Sequence, residues 1–208
     1  MSGMASVKLT KNELKKQKDN LKRFERYLPT LQLKKQQLQM VIMQVESEFE
    51  EKKKEYAAIA DGLDDWVAVF SENRLFSENL KIENLVKPDT AVCTTNNIAG
   101  VIVPVFQELT FKEIAYDVAD YPLWVDEALV RMREISKLNM LLKVLKRQQE
   151  LLNKELRLTS QRVNLFEKIK IPEAKENIRV IEIYLGDQQT SAVVRGKIAK
   201  GKRQVTAT

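Results

Sequence analysis

The sequence predicts a mainly α-helical protein, a long antiparallel two-helix left-handed coiled coil with a short β-hairpin subdomain between the helices. Two runs of apolar residues, one in each half of the chain, repeat every seven residues, and a stretch rich in β-branched residues separates them. Six glycines and five prolines in 208 residues are too few for a loop-rich fold. Charged residues make up 31% of the chain, above the roughly 25% of an ordinary globular domain. Long helices with wide solvated faces explain that excess.

The first long helix is predicted over residues 8–84. A heptad frame that starts at Leu14 runs to Phe70, and eight of its nine a positions and six of its eight d positions are apolar. A period of 3.5 residues held for eight heptads predicts a left-handed supercoil against a partner helix. Pro29 removes a backbone hydrogen bond, but the heptad phase is the same on both sides of it. We therefore expect a kink there and not a break.

The second long helix is predicted over residues 117–186 and supplies the partner. Its apolar seam keeps one frame up to Phe166 and slips near Pro172, where we expect a bend or local unwinding. Gly186 is a predicted helix stop, and residues 187–208 are predicted to form a basic flexible tail. The core positions predicted in the two seams are Leu21, Phe24, Leu28, Leu31, Leu38, Ile42, Val45, Phe49, Ile135, Leu138, Leu142, Leu145, Leu152, Leu156, Val163 and Phe166.

Between the helices, residues 85–116 are predicted to form the β-hairpin. Two runs rich in β-branched residues flank Asn96 and Asn97, which we interpret as the turn. Pro104 cannot donate to a sheet ladder, so its strand is expected to be an edge strand or bulged.

Charge is segregated along the chain. Residues 1–40 carry a net charge of +7, residues 41–134 carry −10 and residues 135–208 carry +9. If the helices fold back on each other, both termini meet at a basic end and the hairpin lies at an acidic end. Different partners are expected at the two ends.

The residue inventory excludes most kinds of active site. The chain has no histidine and a single cysteine, Cys93, so Cys/His zinc sites, Ser-His-Asp triads and disulfides are excluded. Phosphate-binding glycine motifs are absent. The carboxylate pairs Glu50–Glu51 and Asp64–Asp65 are interpreted as solvated helix faces. We predict no catalytic residue, no metal ligand and no cofactor.

No apolar run approaches the roughly 20 residues of a membrane span, and the N-terminus has no apolar signal core. A cytoplasmic protein, peripheral to the membrane if it belongs to a membrane-attached complex, is expected. The basic run from Arg195 to Arg203 is interpreted as solvated. Contact with nucleic acid or anionic lipid is the alternative for this run.

Three segments resemble one family. The segment RVNLFEKIKIPEAKENIRVIE, from Arg162 to Glu182, closely resembles the signature of the D subunits of V-type (A/V-type) ATP synthases and ATPases. The segments LTKNEL, from Leu9, and NIAGVIVP, from Asn97, are also similar to that family's pattern.

This resemblance implies a non-catalytic central-stalk rotor subunit. Such a subunit transmits torque between the membrane ion-translocating ring and the catalytic A/B hexamer during proton- or sodium-coupled ATP synthesis or hydrolysis. The implied partners are the A and B subunits around the termini, and the F-subunit and the rotor socket subunit at the hairpin end. No direct nucleotide and no nucleic acid is expected. The candidate partner contacts are Arg162, Asn164, Glu167 and Arg179. A coiled-coil adaptor or tether that binds nucleic acid or anionic membrane through its basic end is the alternative function.

Overall fold

The computed structural model describes residues 7–71, 85–117, 121 and 124–205. Their elements follow the order α1 (Lys11–Ser71), β1 (Pro88–Ile98), β2 (Val101–Phe111), α2 (Val125–Leu165), a π-helical turn (Phe166–Lys170) and α3 (Ile171–Val205). Two long helical stretches pack antiparallel, and an antiparallel hairpin joins them in sequence, so the predicted fold class is confirmed. The predicted end of the first helix, over residues 72–84, lies outside the described residues.

The chain divides into two compact units. The terminal unit draws on Met1–Lys35 and Leu158–Thr208, and the hairpin unit on Gln36–Arg157. Helix α1 contributes to both units, as does α2.

Helix α1 begins at a hydrogen-bonded cap and runs through its proline. The Thr10 hydroxyl accepts a hydrogen bond from the Glu13 N–H at 3.3 Å, which satisfies one of the unpaired donors of the first turn. The helix then continues through Pro29 without interruption. Next to the proline, the Thr30 hydroxyl donates to the Tyr27 carbonyl at 2.7 Å. The kink at Pro29 stays a prediction.

The heptad frame describes which side of α1 is covered. Every a and d position from Leu14 to Ile59 is buried or half-buried. Of the sixteen predicted core residues, six are buried and the other ten are half-buried. The buried ones are Leu38, Ile42, Val45, Leu145, Leu152 and Val163.

The hairpin turns at a different place from the predicted one. The pair Ile98–Val101 closes the ladder, so Ala99 and Gly100 form the turn and the predicted Asn96–Asn97 turn is wrong. Both turn residues have positive φ, 51° and 82°, as a two-residue hairpin turn of the tightest kind requires. Gly100 adopts this φ without a Cβ clash, which is why the chain reverses there and not at the two asparagines.

The hairpin packs on the helices of its unit. Val103 of β2 is fully buried against Leu38 and Ile42 of α1 and Leu145 of α2. Beside it, the Gln148 side chain donates from Nε2 to the Pro104 carbonyl at 2.5 Å. Strand β1 faces solvent along almost its whole length. The ladder is irregular between Pro88/Ala91 and Val92/Cys93 of β1.

At the C-terminal end, the predicted helix stop at Gly186 is wrong. Helix α3 continues through this residue to Val205. A glycine inside a helix costs about 1 kcal/mol relative to alanine, and the helix continues despite that penalty. The flexibility of residues 187–208 stays a prediction.

Candidate partner-contact surface

The terminal unit is held together by an antiparallel seam with ion pairs on its rim. Lys18 Nζ lies 2.6 Å from Glu182 Oε1, and Lys175 Nζ lies 3.6 Å from Glu25 Oε1. A step of seven residues along α1 is thus matched by a step of seven in the reverse direction along α3. Because the paired side chains are about half exposed, each pair contributes under about 1 kcal/mol, and its main effect is on register.

Inside this seam, aromatic rings join α1 to the π-turn. The rings of Phe24 and Phe166 lie 5.3 Å apart between centroids and are tilted by 39°. Both side chains are half-buried. Pairs of this geometry contribute about 0.5–1.5 kcal/mol beyond the area they bury, so the ring pair ties the first residue of the π-turn to α1.

The four candidate contact residues all point away from the seam. Arg162, Asn164, Glu167 and Arg179 are exposed. The first three lie within a turn of the π-turn Phe166–Lys170, whereas Arg179 lies two turns further along α3. The structure therefore places three of them in one short stretch of the helix and separates the fourth.

Arg179 is engaged on its own helix. Its Nη2 and Nε donate to the Glu176 carboxylate at 2.7 and 2.9 Å. These hydrogen bonds lower the pKa of Glu176 and raise the pKa of Arg179. A partner carboxylate that binds Arg179 would have to compete with Glu176 for the guanidinium.

Apolar side chains lie on the same exposed stretch, and the heptad pattern did not point to them. Leu158, Leu165 and Ile169 are 39%, 42% and 53% exposed. They follow one another at intervals of seven and four residues, which is the spacing of one helix face. They are apolar residues outside the a and d positions of the seam, and this feature of the sequence could have identified them.

Residues 187–200 of α3 are exposed throughout. Val193, Val194 and Ile198 are 49–59% exposed, and the segment after Asp187 contains cations and no acidic residue. This surface is apolar and basic, and the absence of acidic residues after Asp187 distinguishes its sequence from that of α1, which carries both signs of charge.

The hairpin unit contains a second, smaller buried cluster where the hairpin meets α2. Leu85, Val125 and Leu129 form a small buried cluster, over which Tyr116 and Trp124 pack. The Tyr116 hydroxyl donates to the Asp126 carboxylate, and this bond raises the pKa of the tyrosine. The contact ties the chain after β2 to the first turn of α2.

A shallow groove lies in the same unit. It has a volume of about 400 Å³ and runs between the foot of the hairpin and α2, with Asp89, Leu109, Met140 and Lys143 among its lining residues. Groups of three or more potential metal ligands do not occur among the residues that the structure describes. Of the helices described, none is both long and apolar enough to cross a membrane.

Comparison with known proteins decides the family. A model of the family of ATP synthase D subunits matches residues 13–201. The chain is 49% identical over 197 residues to the V-type ATP synthase D-subunit of Borreliella burgdorferi, covering 95% of both chains. The chain belongs to the family of V-type ATP synthase D subunits. It is also 35% identical over 203 residues to the D-subunit of Chlamydia caviae and 36% identical to that of Chlamydia abortus, covering 96% of this chain and 95% of each relative.

Membership in the D-subunit family confirms the resemblance carried by the segments around Arg162, Leu9 and Asn97. It also confirms the predicted function at the level of the whole subunit, the central-stalk subunit of a rotary ATPase. The V-type ATP synthase complex to which such a subunit belongs is an enzyme.

Proposed function

We propose that the chain transmits torque between the membrane ion-translocating ring and a catalytic hexamer of A and B subunits, without catalysing a step itself. Nucleotide chemistry takes place in the A and B subunits, and this chain biases their open and closed states by differential contact as it turns. In this role it is peripheral to the membrane, on the cytoplasmic side, and the coupled ion is a proton or a sodium ion.

The terminal unit is the part that contacts the hexamer. Its exposed surface combines the apolar residues Leu165 and Ile169 with the cations Arg162 and Lys168, all close to the π-turn. An apolar centre with charged neighbours is suited to a contact that forms and breaks at each step of rotation, because it is specific without burying a large area. Asn164, Glu167 and, further along α3, Arg179 are additional contacts of the terminal unit.

The hairpin unit holds the F-subunit and the rotor socket subunit. Its exposed strand β1 and the groove of about 400 Å³ between the hairpin foot and α2 offer a surface distinct in charge from that of the termini. Residues 41–134 carry a net charge of −10, so basic partners are favoured there.

The observation that carries the proposal is the continuous seam. A shaft resists torsion when its helices are coupled along their length, and the a and d positions of α1 from Leu14 to Ile59 are covered without a gap. A binding module would need only a short stretch of this seam.

Reconstitution with A, B and F subunits and the membrane ring tests the proposal. We expect ion transport coupled to ATP hydrolysis to require this chain. Val163→Asp, which places a charge at a position 4% exposed, should reduce coupling strongly, whereas Gln161→Asp on the exposed face should not. Undiminished coupling without the chain, or failure to assemble with the A, B and F subunits, would contradict the proposal. Salt-sensitive binding to DNA or anionic vesicles, with no affinity for the hexamer, would favour the adaptor instead.

A further inference from the structure

The π-turn Phe166–Lys170 lies where the buried face of the second helical stretch changes frame. In the frame of α2, Thr159 is a d position and is fully buried. If the same frame continued, the d positions two and three heptads after Thr159 would be Glu173 and Val180, and both would be buried. Glu173 is exposed and Val180 is 41% exposed, and the buried residues are Ala174 and Ile181. The buried face is therefore displaced by one residue.

The π-turn accounts for this displacement, because it adds one residue to a helical turn. It closes hydrogen bonds from residue i+5 to residue i, and here the Ile171 N–H bonds to the Phe166 carbonyl. One residue is thereby inserted into the helix without interrupting it. Helix α1 of the same unit shows no such displacement, because its a and d positions keep one frame from Leu14 through Leu31.

Pro172 explains why the insertion lies here. Its ring would clash with the carbonyl of Lys168 in a regular α-helix, and it has no N–H to donate to that carbonyl. A wider turn before the proline relieves both problems and leaves Pro172 in the first turn of α3, where proline is favoured.

The π-turn is anchored on both sides but has no buried residue of its own. The Phe24–Phe166 ring pair holds its first residue, and the ion pairs of Lys175 and Glu182 hold the helix beyond it. Rearrangement of the backbone is thus confined to the five residues of the π-turn. Exchange between i+5 and i+4 hydrogen bonds at either end of the turn would change the local twist between α2 and α3 within these five residues, while Ala174 and Ile181 stay packed on the buried side.

We propose that this π-turn is a torsional hinge, by which the terminal unit takes up angular strain as the catalytic subunits act on it. The inference rests on the proposed torque function. It assigns to five residues a role that is separate from partner contact. The hinge makes the terminal unit compliant about the helix axis at this one turn, and the covered seam of α1 keeps the rest of the helix pair resistant to torsion.

Deletion of Ile169 tests whether the extra residue is absorbed by the turn. The deletion moves Ala174 and Ile181 onto the frame of α2, so an unbroken α-helix can replace the π-turn. We expect the full-length variant to lose less stability in denaturant titrations than the control deletion below, because its only new cost is Pro172 within an α-helix. Deletion of Leu33, an equally exposed aliphatic residue (56% against 53%), is the matched control, because α1 has no π-turn to absorb it. That variant should unfold at a lower denaturant concentration.

The hinge itself is tested in the reconstituted complex. Deletion of Lys170, which also removes one residue of the turn but is not among the proposed contacts, is used here. We expect this variant to assemble and hydrolyse ATP, but to transport at least two-fold fewer ions per ATP than the parent. Unchanged transport per ATP in an assembled variant would overturn the hinge. So would a destabilisation of the Ile169 deletion equal to that of the Leu33 deletion. If the parent chain does not assemble or is not needed for coupling, the torque function itself fails.

Hydrogen exchange on the parent chain is a test that does not depend on the deletion. Amides within the π-turn should exchange at least ten-fold faster than those around Val163 and Ile181. Equal protection across the three segments would also overturn the hinge.

Discussion

At the scale of single residues, Thr159 is a polar group within an apolar seam. Its side chain is fully buried at a d position, and its hydroxyl has no hydrogen-bond partner among the residues that the structure describes. An unpaired buried hydroxyl costs about 1–3 kcal/mol, so this residue lowers the stability of the terminal unit.

Replacement of Thr159 by valine should therefore stabilise the chain. Valine keeps the shape and removes the unpaired hydroxyl, and we expect the free energy of unfolding to rise by about 1 kcal/mol in denaturant titrations. Thr190→Val is the control, because that exposed hydroxyl already donates to the Gly186 carbonyl at 3.1 Å. Its effect should stay within about 0.5 kcal/mol. A neutral or destabilising Thr159→Val would mean that the hydroxyl contributes to the seam.

One substitution, glycine to alanine, should have opposite effects at two positions. Gly100 has a φ of 82°, which strains any residue with a Cβ, so Gly100→Ala should lower stability by about 1–2 kcal/mol. Gly186 is helical, and a Cβ there meets open space, so Gly186→Ala should raise stability by roughly 0.5–1 kcal/mol. Thermal unfolding of the two variants side by side measures both signs. Shifts of the same sign would contradict either the hairpin turn or the continuation of α3.

At the scale of elements, one buried hydrogen bond connects the hairpin to α2. Gln148 is 8% exposed, and its Nε2 donates to the Pro104 carbonyl at 2.5 Å. Pro104 lies in β2 and pairs with Thr95 of β1. Loss of the donor would remove this hydrogen bond from a half-buried carbonyl.

Gln148→Ala should loosen the hairpin without unfolding the helices. We expect a loss of about 1–3 kcal/mol and faster hydrogen exchange of the β1 and β2 amides, with the amides of α1 unchanged. The neighbouring Gln149→Ala removes only an exposed hydrogen bond to Glu46, at 2.9 Å, and should leave hairpin exchange unchanged. If hairpin exchange stays slow in Gln148→Ala, the apolar contact of Val103 alone holds the hairpin.

The elements differ in how much of them the sequence could predict. Heptad repetition is a local signal, so the two helices and the covered side of α1 followed from it. A slip of the frame near Pro172 was also visible, but a pattern cannot distinguish a bend from a π-turn, because the choice depends on packing against α1. The turn at Ala99–Gly100 was missed for a related reason. Asn96 and Asn97 suit a turn locally, yet the pairing of β1 with β2 and the burial of Val103 decide the reversal point.

The candidate contact surface was predictable only in part. Arg162, Asn164 and Glu167 were named from the family's pattern, and their exposure depends on the frame set by Val163 and Phe166 on the buried side. Leu165 and Ile169 were missed because exposed aliphatic residues carry no signal in a heptad count. They become apparent only when the buried face is known.

At the scale of the whole molecule, the charge distribution makes the C-terminal stretch a separable contact. Residues 187–200 are exposed throughout, and the hydrogen bonds that the structure gives them join neighbours on the same helix, such as Gln188 and Tyr184. Removal of residues 188–208 should thus leave the midpoint of unfolding within about 2 °C, because little buried area is lost.

The same truncation should weaken assembly with the catalytic subunits by ten-fold or more at low salt. The segment carries Arg195, Lys197 and Lys200 among its cations and no acid, so its attraction to an acidic partner falls as salt screens it. A full-length variant in which every Lys and Arg after Asp187 is changed to glutamine tests whether charge or chain length is responsible. This variant should show most of the loss of affinity seen with the truncation. The affinities of the parent and of this variant for the catalytic subunits should converge as salt is raised from about 50 to 300 mM, because the Debye length shortens to a few ångströms. If the truncated chain instead binds the hexamer as tightly as the parent at every salt concentration, the basic stretch is a solvated extension and the contact lies wholly within the residues around the π-turn.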